Sequence, residues 1–506
     1  MRTYRRRAAR APLAAAAFAA AAVLTAGLTL AAVAGPAGAA VPIPSVPGAG
    51  VPTFIGSPAV ANPIASFPRP QNPHLAANDG NNIHNDAYAT DSYAGSGPLG
   101  HRTKVTSALY GVDECATDEF DSAGNLVGLC VGVEGPALFL MNPRTLNVRA
   151  RYELPPRHVK AGANPLTDLC GGAYSYLDNL DQVVVDTTDR TIQIVADTGR
   201  KLVLRKTYDV TAAVPASDCM LALLPDWSGR IWFVTSHGVV GNVDPATSAL
   251  HWTTLPGEII DNSFAVDETG GVFIVSDHAM YRFDAAPGTG APVVTWRQPY
   301  DRGSVQKPGQ LAQGSGTTPT LLGSDLVAIT DNADPQMHVL VSDRSAASGG
   351  APVCSSAVFT PGQSDTENSL VAVGNSLYVE NNFGYKGPQS TLLGATTKPG
   401  IARVDVTEVG GGGTCTTVWT NNSVAPTSVA KAALGNGLLY AYTKPANALG
   451  IDAWYLTAID LRSGATVFSQ LAGTGPGYNN HYAAIYLADG VAYVPTLTGM
   501  VRFSDR

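Results

Sequence analysis

Short apolar runs broken by Gly, Asp, Asn or Pro fill the chain from about residue 110 onward. In the stretch from Phe264 to Trp296 four such runs follow one another, Phe264–Val266, Val272–Val275, Met280–Phe283 and Val293–Trp296, each bounded by turn residues. Runs this short between turn signals predict four antiparallel strands in a meander. The second run recurs eight times, as GNLVGLCVG, RTIQIVAD, GRIWFVTS, GGVFIVSD, SDLVAITD, NSLYVENN, NGLLYAYT and DGVAYVPT, with first apolar residues Leu126, Ile192, Ile231, Val272, Leu326, Leu377, Leu438 and Val491. The third run recurs as well and usually ends in an Asx turn, as in GVVGNVDP, AMYRFDA and HVLVSDR. A self-similar period of this size marks radial repetition. The predicted fold is therefore all-β: a single β-propeller of eight four-stranded blades, with seven as the alternative, because a ring of small sheets leaves few long edges. Arg506 follows the third run of the last unit, so an N-terminal strand should close the ring. Arg102–Ser107 and Ile83–Tyr88 are the candidates.

Residues 1–40 divide into a basic start, an apolar Ala/Leu/Val run and small residues at Ala37, Ala39 and Ala40. This is the pattern of an export signal peptide, and it predicts a secreted or cell-envelope, extracytoplasmic protein. Sec and Tat routes stay open, because Arg5-Arg6-Arg7 suits both. Residues 41–73 are proline-rich without apolar periodicity and are expected to be a spacer, with the propeller spanning 74–506. The net charge is −8. Removing the five arginines of residues 1–40 gives −8 − 5 = −13 for the mature chain. Such a balance speaks against nucleic acid or an anionic membrane as partner, and no membrane span is expected once the signal is removed. Oligomeric state stays open.

Six cysteines in an exported chain suggest three disulfides. Cys115 and Cys130 flank one hairpin turn. Cys170 and Cys219 lie at the starts of neighbouring innermost strands, and Cys354 and Cys415 lie on neighbouring outermost strands, so these are the expected pairs. There is no C-x-x-C and no Cys/His cluster at zinc-ligand spacing.

Asp244-Pro245-Ala246-Thr247-Ser248 followed by Trp252, and Asp460-Leu461-Arg462-Ser463-Gly464, resemble the aspartate-x-x-threonine-glycine turn and later tryptophan of the quinoprotein-like (PQQ-like repeat) propellers. The resemblance spans roughly residues 110–506 and implies fold rather than chemistry. Cofactor-binding members of that family have two adjacent cysteines beside the quinone and a calcium held by carboxylate and amide side chains. No two cysteines are adjacent here, so PQQ is not expected. A G-x-S-x-G elbow and an H-E-x-x-H helix are also absent.

In a propeller the loops from an outermost strand to the next innermost strand share one face with those joining second to third strands. Loops on a rigid scaffold are where sites are built. Mapped from the repeat, that face carries Asp218, Asp261, Asn262, Glu367, Asn368, Asn480 and His481 from the first kind of loop. The second kind supplies His237, Asp277, His278, Asp331, Asn332, Asp334, Glu380, Asn381 and Asn382. Each of these residues also suits an ordinary turn. Two long crossings join them: Tyr300–Thr318, with Arg302 and Lys307, and Asn382–Gly400, with Tyr385 and Lys386. The polar segment Asn78–Asp91 is expected either to lie over the mouth as a lid or to be the closing strand, with the strand preferred. Two functions fit this face. One is binding of a small molecule, saccharide or extracellular protein through His237, Asp261, Asn262, Arg302, Lys307, Asn368, Glu380, Asn382, Tyr385 and Asn480. The other is hydrolase or lyase chemistry, with His481 or His278 as base and Asp331 or Glu367 orienting it or stabilising charge. Calcium is considered at Asp331, Asn332 and Asp334, which offer hard oxygen donors within a short run.

Overall fold

The computed structural model describes residues 40–132, 135–157, 170, 174–409 and 412–506. The expected export signal falls outside them except for Ala40.

Eight sheets, each built on a four-stranded antiparallel blade, form a propeller ring, and Ser92–Tyr93 joins that of blade 7 in parallel. Blades 1 to 8 span residues 114–153, 176–209, 220–254, 265–299, 320–357, 371–421, 431–474 and 486–504. Second strands such as Ile231–Thr235, Val272–Val275 and Leu326–Thr330 are buried along their whole length. Neighbouring blades cover both faces of each sheet, and this is why these runs are continuously apolar rather than alternating. Outermost strands alternate, as in Gly412–Asn421.

In blades 1 to 4 the turn between innermost and second strands is one device repeated. Asp267 Oδ1 accepts the amides of Thr269 and Gly271, while Gly270 takes a φ of 91°. Asp121 and Asp226 do the same in blades 1 and 3, with Gly124 and Gly229 in the left-handed position. In blade 2 the turn is Asp178 to Gln182, and Asp181 rather than a glycine adopts the left-handed φ of 56°. The missing glycine shifts the repeat reading of blade 2 by one strand. Ile192 belongs to the third strand, Thr191–Asp197, and the run KLVLRKT to the outermost, Leu202–Asp209.

Lys104–Leu109 closes the ring as the outermost strand of blade 8, in register from Lys104 opposite Ser504 to Leu109 opposite Gly499. Residues 41–73, expected as a spacer, are laid against the ring instead. Phe54–Gly56 adds an outer strand to blade 7, and the Phe54 ring stacks on Phe468 at 5.6 Å. Ile43 is buried against Tyr478, whose hydroxyl donates to Ile43 O. Disulfides join Cys115 to Cys130, Cys170 to Cys219 and Cys354 to Cys415.

The segment 72–96 is neither a lid over the mouth nor the closing strand. It winds through the central channel from the side where innermost strands end, and it bonds to every blade in turn. Phe120, Leu177, Val266, Leu321, Ala372, Ala432 and Gly490 donate their amides to Gly80, Asn81, Ala87, Tyr88, Thr90, Asp91 and Ser96. Asn72 Nδ2 completes the set with Pro225 O in blade 3. At its centre the Lys431 ammonium meets Asp91, Ile83 O and Asn85, and His84 Nδ1 lies 3.0 Å from Asp91 Oδ2. A plug this polar is stable because the blades satisfy its groups. Among the described residues no helix is long and apolar enough to cross a membrane.

Candidate functional site

The face of the ring opposite the plug's entry is the one where innermost strands begin. There the two long crossings and the loop between blades 7 and 8 converge on a cleft of about 500 Å³. Gln306 to Leu311 form one wall, Tyr385 to Gly387 a second, and His481 and Tyr482 a third.

Each wall is pinned by bonds that a sequence reading cannot assign. The Leu311 amide donates to Glu367 Oε2 at 2.9 Å, and Lys307 Nζ donates to Ala333 O at 2.7 Å. The backbone at Gly309 lies so close to blade 6 that a Cβ there would be 2.2 Å from Asp365 Oδ1 and 2.5 Å from Asn382 O. Asn479 ties two walls together, accepting from Tyr385 OH at 3.1 Å and from the His481 amide at 2.9 Å. Tyr482 OH donates to Gly309 O at 2.8 Å, linking the third wall to the first.

His481 and Tyr482 are consecutive and both left-handed, with φ of 48° and 68°. Non-glycine residues in that region each cost of order 1–3 kcal/mol, and such strain concentrates where side chains must be aimed. Here it aims two rings at one space. Tyr385 and Tyr482 meet edge to face at 4.7 Å, with His481 6.0 Å from Tyr385. His481 Nδ1 stands 3.3 Å from Glu114 Oε2, on the innermost strand of blade 1.

Beneath the wall at 306–311 lie two buried carboxyl groups. Burial pushes Asp365 up to about 7 against the pull of Lys307. Glu367 is driven well above the usual range by burial, further by Asp261 and Asp365, and less so for the Leu311 amide it accepts.

No family model matches the chain. It is 27% identical over 370 residues, 66% of this chain and 70% of the relative, to an uncharacterized protein of Archaeoglobus fulgidus. Among solved structures it is similar to the quinohemoprotein alcohol dehydrogenase of Comamonas testosteroni, at 11% identity over 86% of this chain and 81% of that one, with a TM-score of 0.50. The fold is that of the quinoprotein-like propellers. BamB from Moraxella catarrhalis is also similar, at 11% identity over 76% and 93% of the two chains and a TM-score of 0.44.

The residues present do not fit the quinone and calcium that cofactor-binding propellers of this fold hold. The six cysteines are tied in three disulfides between positions at least 15 apart. Among the described residues no group of three or more His, Cys, Asp or Glu is arranged to hold a metal. Asp331, Asn332 and Asp334 have separate tasks. Asp331 binds the amide and ring of His338, Asn332 Nδ2 donates to Arg302 O and Val305 O, and Asp334 Oδ2 accepts from Ser304.

Of the sequence candidates, His481, Tyr385 and Lys307 line the cleft. Glu367 lies beneath it, as does Asn382, whose Oδ1 accepts from Thr366 and the Glu367 amide. Asn368 and Glu380 bond to each other at 2.6 Å within the channel, and burial lifts Glu380 to about 8. The others stand on the rim. His237 pairs with Asp218 at 2.9 Å, His278 with Asp277 at 2.8 Å, and Arg302 with Asp277. Asp261, beside buried Asn262, is raised to about 6 by burial and by Asp277. Asn480 is spent on Ala483 O and Pro495 O. Neither proposed acid sits beside its proposed base, since Asp331 serves His338 and Glu367 serves Leu311. Glu114, Asp365, Asn479 and Tyr482 went unnoticed in the sequence. Tyr482 was within reach as the neighbour of His481, but Glu114 is hidden inside an ordinary strand run, ECATDEF.

Proposed function

We propose that the chain is an exported, extracytoplasmic binding propeller whose cleft takes a sugar-sized polar ligand. The observation that carries this reading is the convergence of three loops, one holding the strained His481–Tyr482 pair, on a single cleft of about 500 Å³. That volume lies within the usual range for small-molecule sites. Two tyrosine rings supply flat apolar faces, and the side-chain carbonyl of Gln306, whose amide nitrogen is held by Gln310 O and Leu311 O, supplies an acceptor for a hydroxyl. The three disulfides support folding in an oxidising compartment. Calorimetric titration of purified residues 40–506 with mono- and disaccharides tests the reading. Binding abolished by Tyr482→Ala supports it, and an absence of heat with every saccharide overturns it. Mass spectrometry of the secreted protein should find a start near Val41.

A second reading is favoured by one contact. His481 and Glu114 are an imidazole and a carboxylate 3.3 Å apart at the cleft, the arrangement that a general base with an orienting acid requires. Turnover of a bound saccharide that Glu114→Gln slows, with binding retained, would move the protein to the hydrolases or lyases.

A further inference from the structure

Resting on the binding reading above, we infer that the ligand is an acidic saccharide, a sugar carrying a carboxylate such as a uronate. The chain has 40 acidic residues against 32 lysines and arginines, yet among the described residues no carboxylate lines the cleft while Lys307, Lys386 and His481 do. An electropositive hollow in an acidic protein selects and steers anions. Two of the three basic side chains have a carboxylate beside them, Asp334 3.8 Å from Lys307 and Glu114 3.3 Å from His481, which among the described residues leaves Lys386 as the unpaired charge. Asp365 and Glu367 are buried beneath the wall, where desolvation raises both carboxyl groups and so favours their neutral form.

The two lysines differ. Lys307 is buried, with its ammonium held by Ala333 O and 3.8 Å from Asp334. Lys386 is exposed, its backbone amide is fixed by Ser390 Oγ, and no partner for its ammonium is recorded among the described residues. Lys386 is the charge available to a ligand carboxylate. A single flexible ammonium suits one carboxylate, whereas a phosphate is more often met by an arginine fork. Gln306 spends its amide nitrogen on Gln310 O and Leu311 O, which leaves its carbonyl to accept a hydroxyl. A fatty acid would leave that acceptor and the polar wall unused.

The test is calorimetry at pH 6 on residues 40–506 with a glucuronate-terminated disaccharide, its neutral glucose counterpart, and acetate. The expected result is a uronide bound about tenfold or more tighter than the neutral sugar, as one charge-assisted hydrogen bond provides. Lys386→Ala should erase that preference, and Lys386→Arg should restore most of it. Lys386 is exposed, so these variants keep the fold. Equal affinity for both sugars, lost in Tyr482→Ala, overturns the inference and leaves the binding reading standing. Acetate bound as tightly as the uronide overturns the saccharide. No binding of either sugar overturns both.

Discussion

Tyr385 and Tyr482 meet edge to face with ring centroids 4.7 Å apart, although one belongs to a crossing in blade 6 and the other to the loop between blades 7 and 8. The contact makes one wall of two distant segments, and Tyr482 OH carries it on to Gly309 O. Removing only that hydroxyl, in Tyr482→Phe, should cost about 1 kcal/mol of stability and change ligand affinity less than threefold. Tyr482→Ala removes the ring and should weaken binding by more than tenfold. Urea melts and calorimetry on the same samples separate the two effects.

Gly309 marks where the 306–311 wall rests on blade 6. A Cβ there would collide with Asp365 Oδ1 and with the main-chain oxygen of Asn382, and a backbone atom cannot swing away. Gly309→Ala should lift the wall, weakening the Leu311–Glu367 hydrogen bond and lowering affinity, while the blades stay intact. Faster hydrogen exchange confined to residues 300–318 is the expected signature. Unchanged exchange there would show that the wall does not depend on this close approach.

Lys431 and Asp91 are both completely buried. Burial lowers the Lys431 pKa while Asp91 raises it. Truncating one member of a buried ion pair leaves the other charge stranded, a loss of about 3–5 kcal/mol. Lys431→Met should therefore destabilise the whole ring, since the plug touches every blade. Lys431→Met with Asp91→Asn should recover a large part of that loss. A double-mutant cycle in urea measures the coupling.

The ring was legible because its signal is local. A turn glycine and the apolar run after it restate themselves in seven of the eight blades, and the count lost its phase in blade 2, where Asp181 stands in the glycine position. The cleft was half legible. Topology alone places His481, Tyr385 and Lys307 on one face, but Glu114 lies within a strand that reads as any other. The plug was not legible at all. NDGNNIHNDAYATD has no period, and its polar groups are buried at low cost only because eight separated strands answer them. The rim pairs were visible one by one, as in Asp277-His278, yet their adjacency in sequence says nothing about a cleft.

The buried carboxyls set the pH dependence of stability. Burial raises Glu119 and Glu380 to about 8 and Asp365 to about 7, against roughly 4 in an unfolded chain. Between these limits the folded protein binds more protons than the unfolded one, so stability falls as pH rises, by up to about 1.4 kcal/mol per pH unit for each proton. Their contribution is fully present below about pH 4 and is lost as pH climbs through 7 to 8. Asp334 and Asp244, held below the ordinary value by hydrogen bonds from Ser304 and from the Ala246 amide, act with the opposite sign, but only in stronger acid. Chemical denaturation from pH 5 to 8.5 should thus show declining stability. Glu119→Gln retains an acceptor for Ser175 Oγ without a titrating proton and should flatten the decline by up to one proton. A slope that stays the same in this variant would mean that Glu119 is ionised in the folded ring, its free Oε2 met by a donor rather than by a proton.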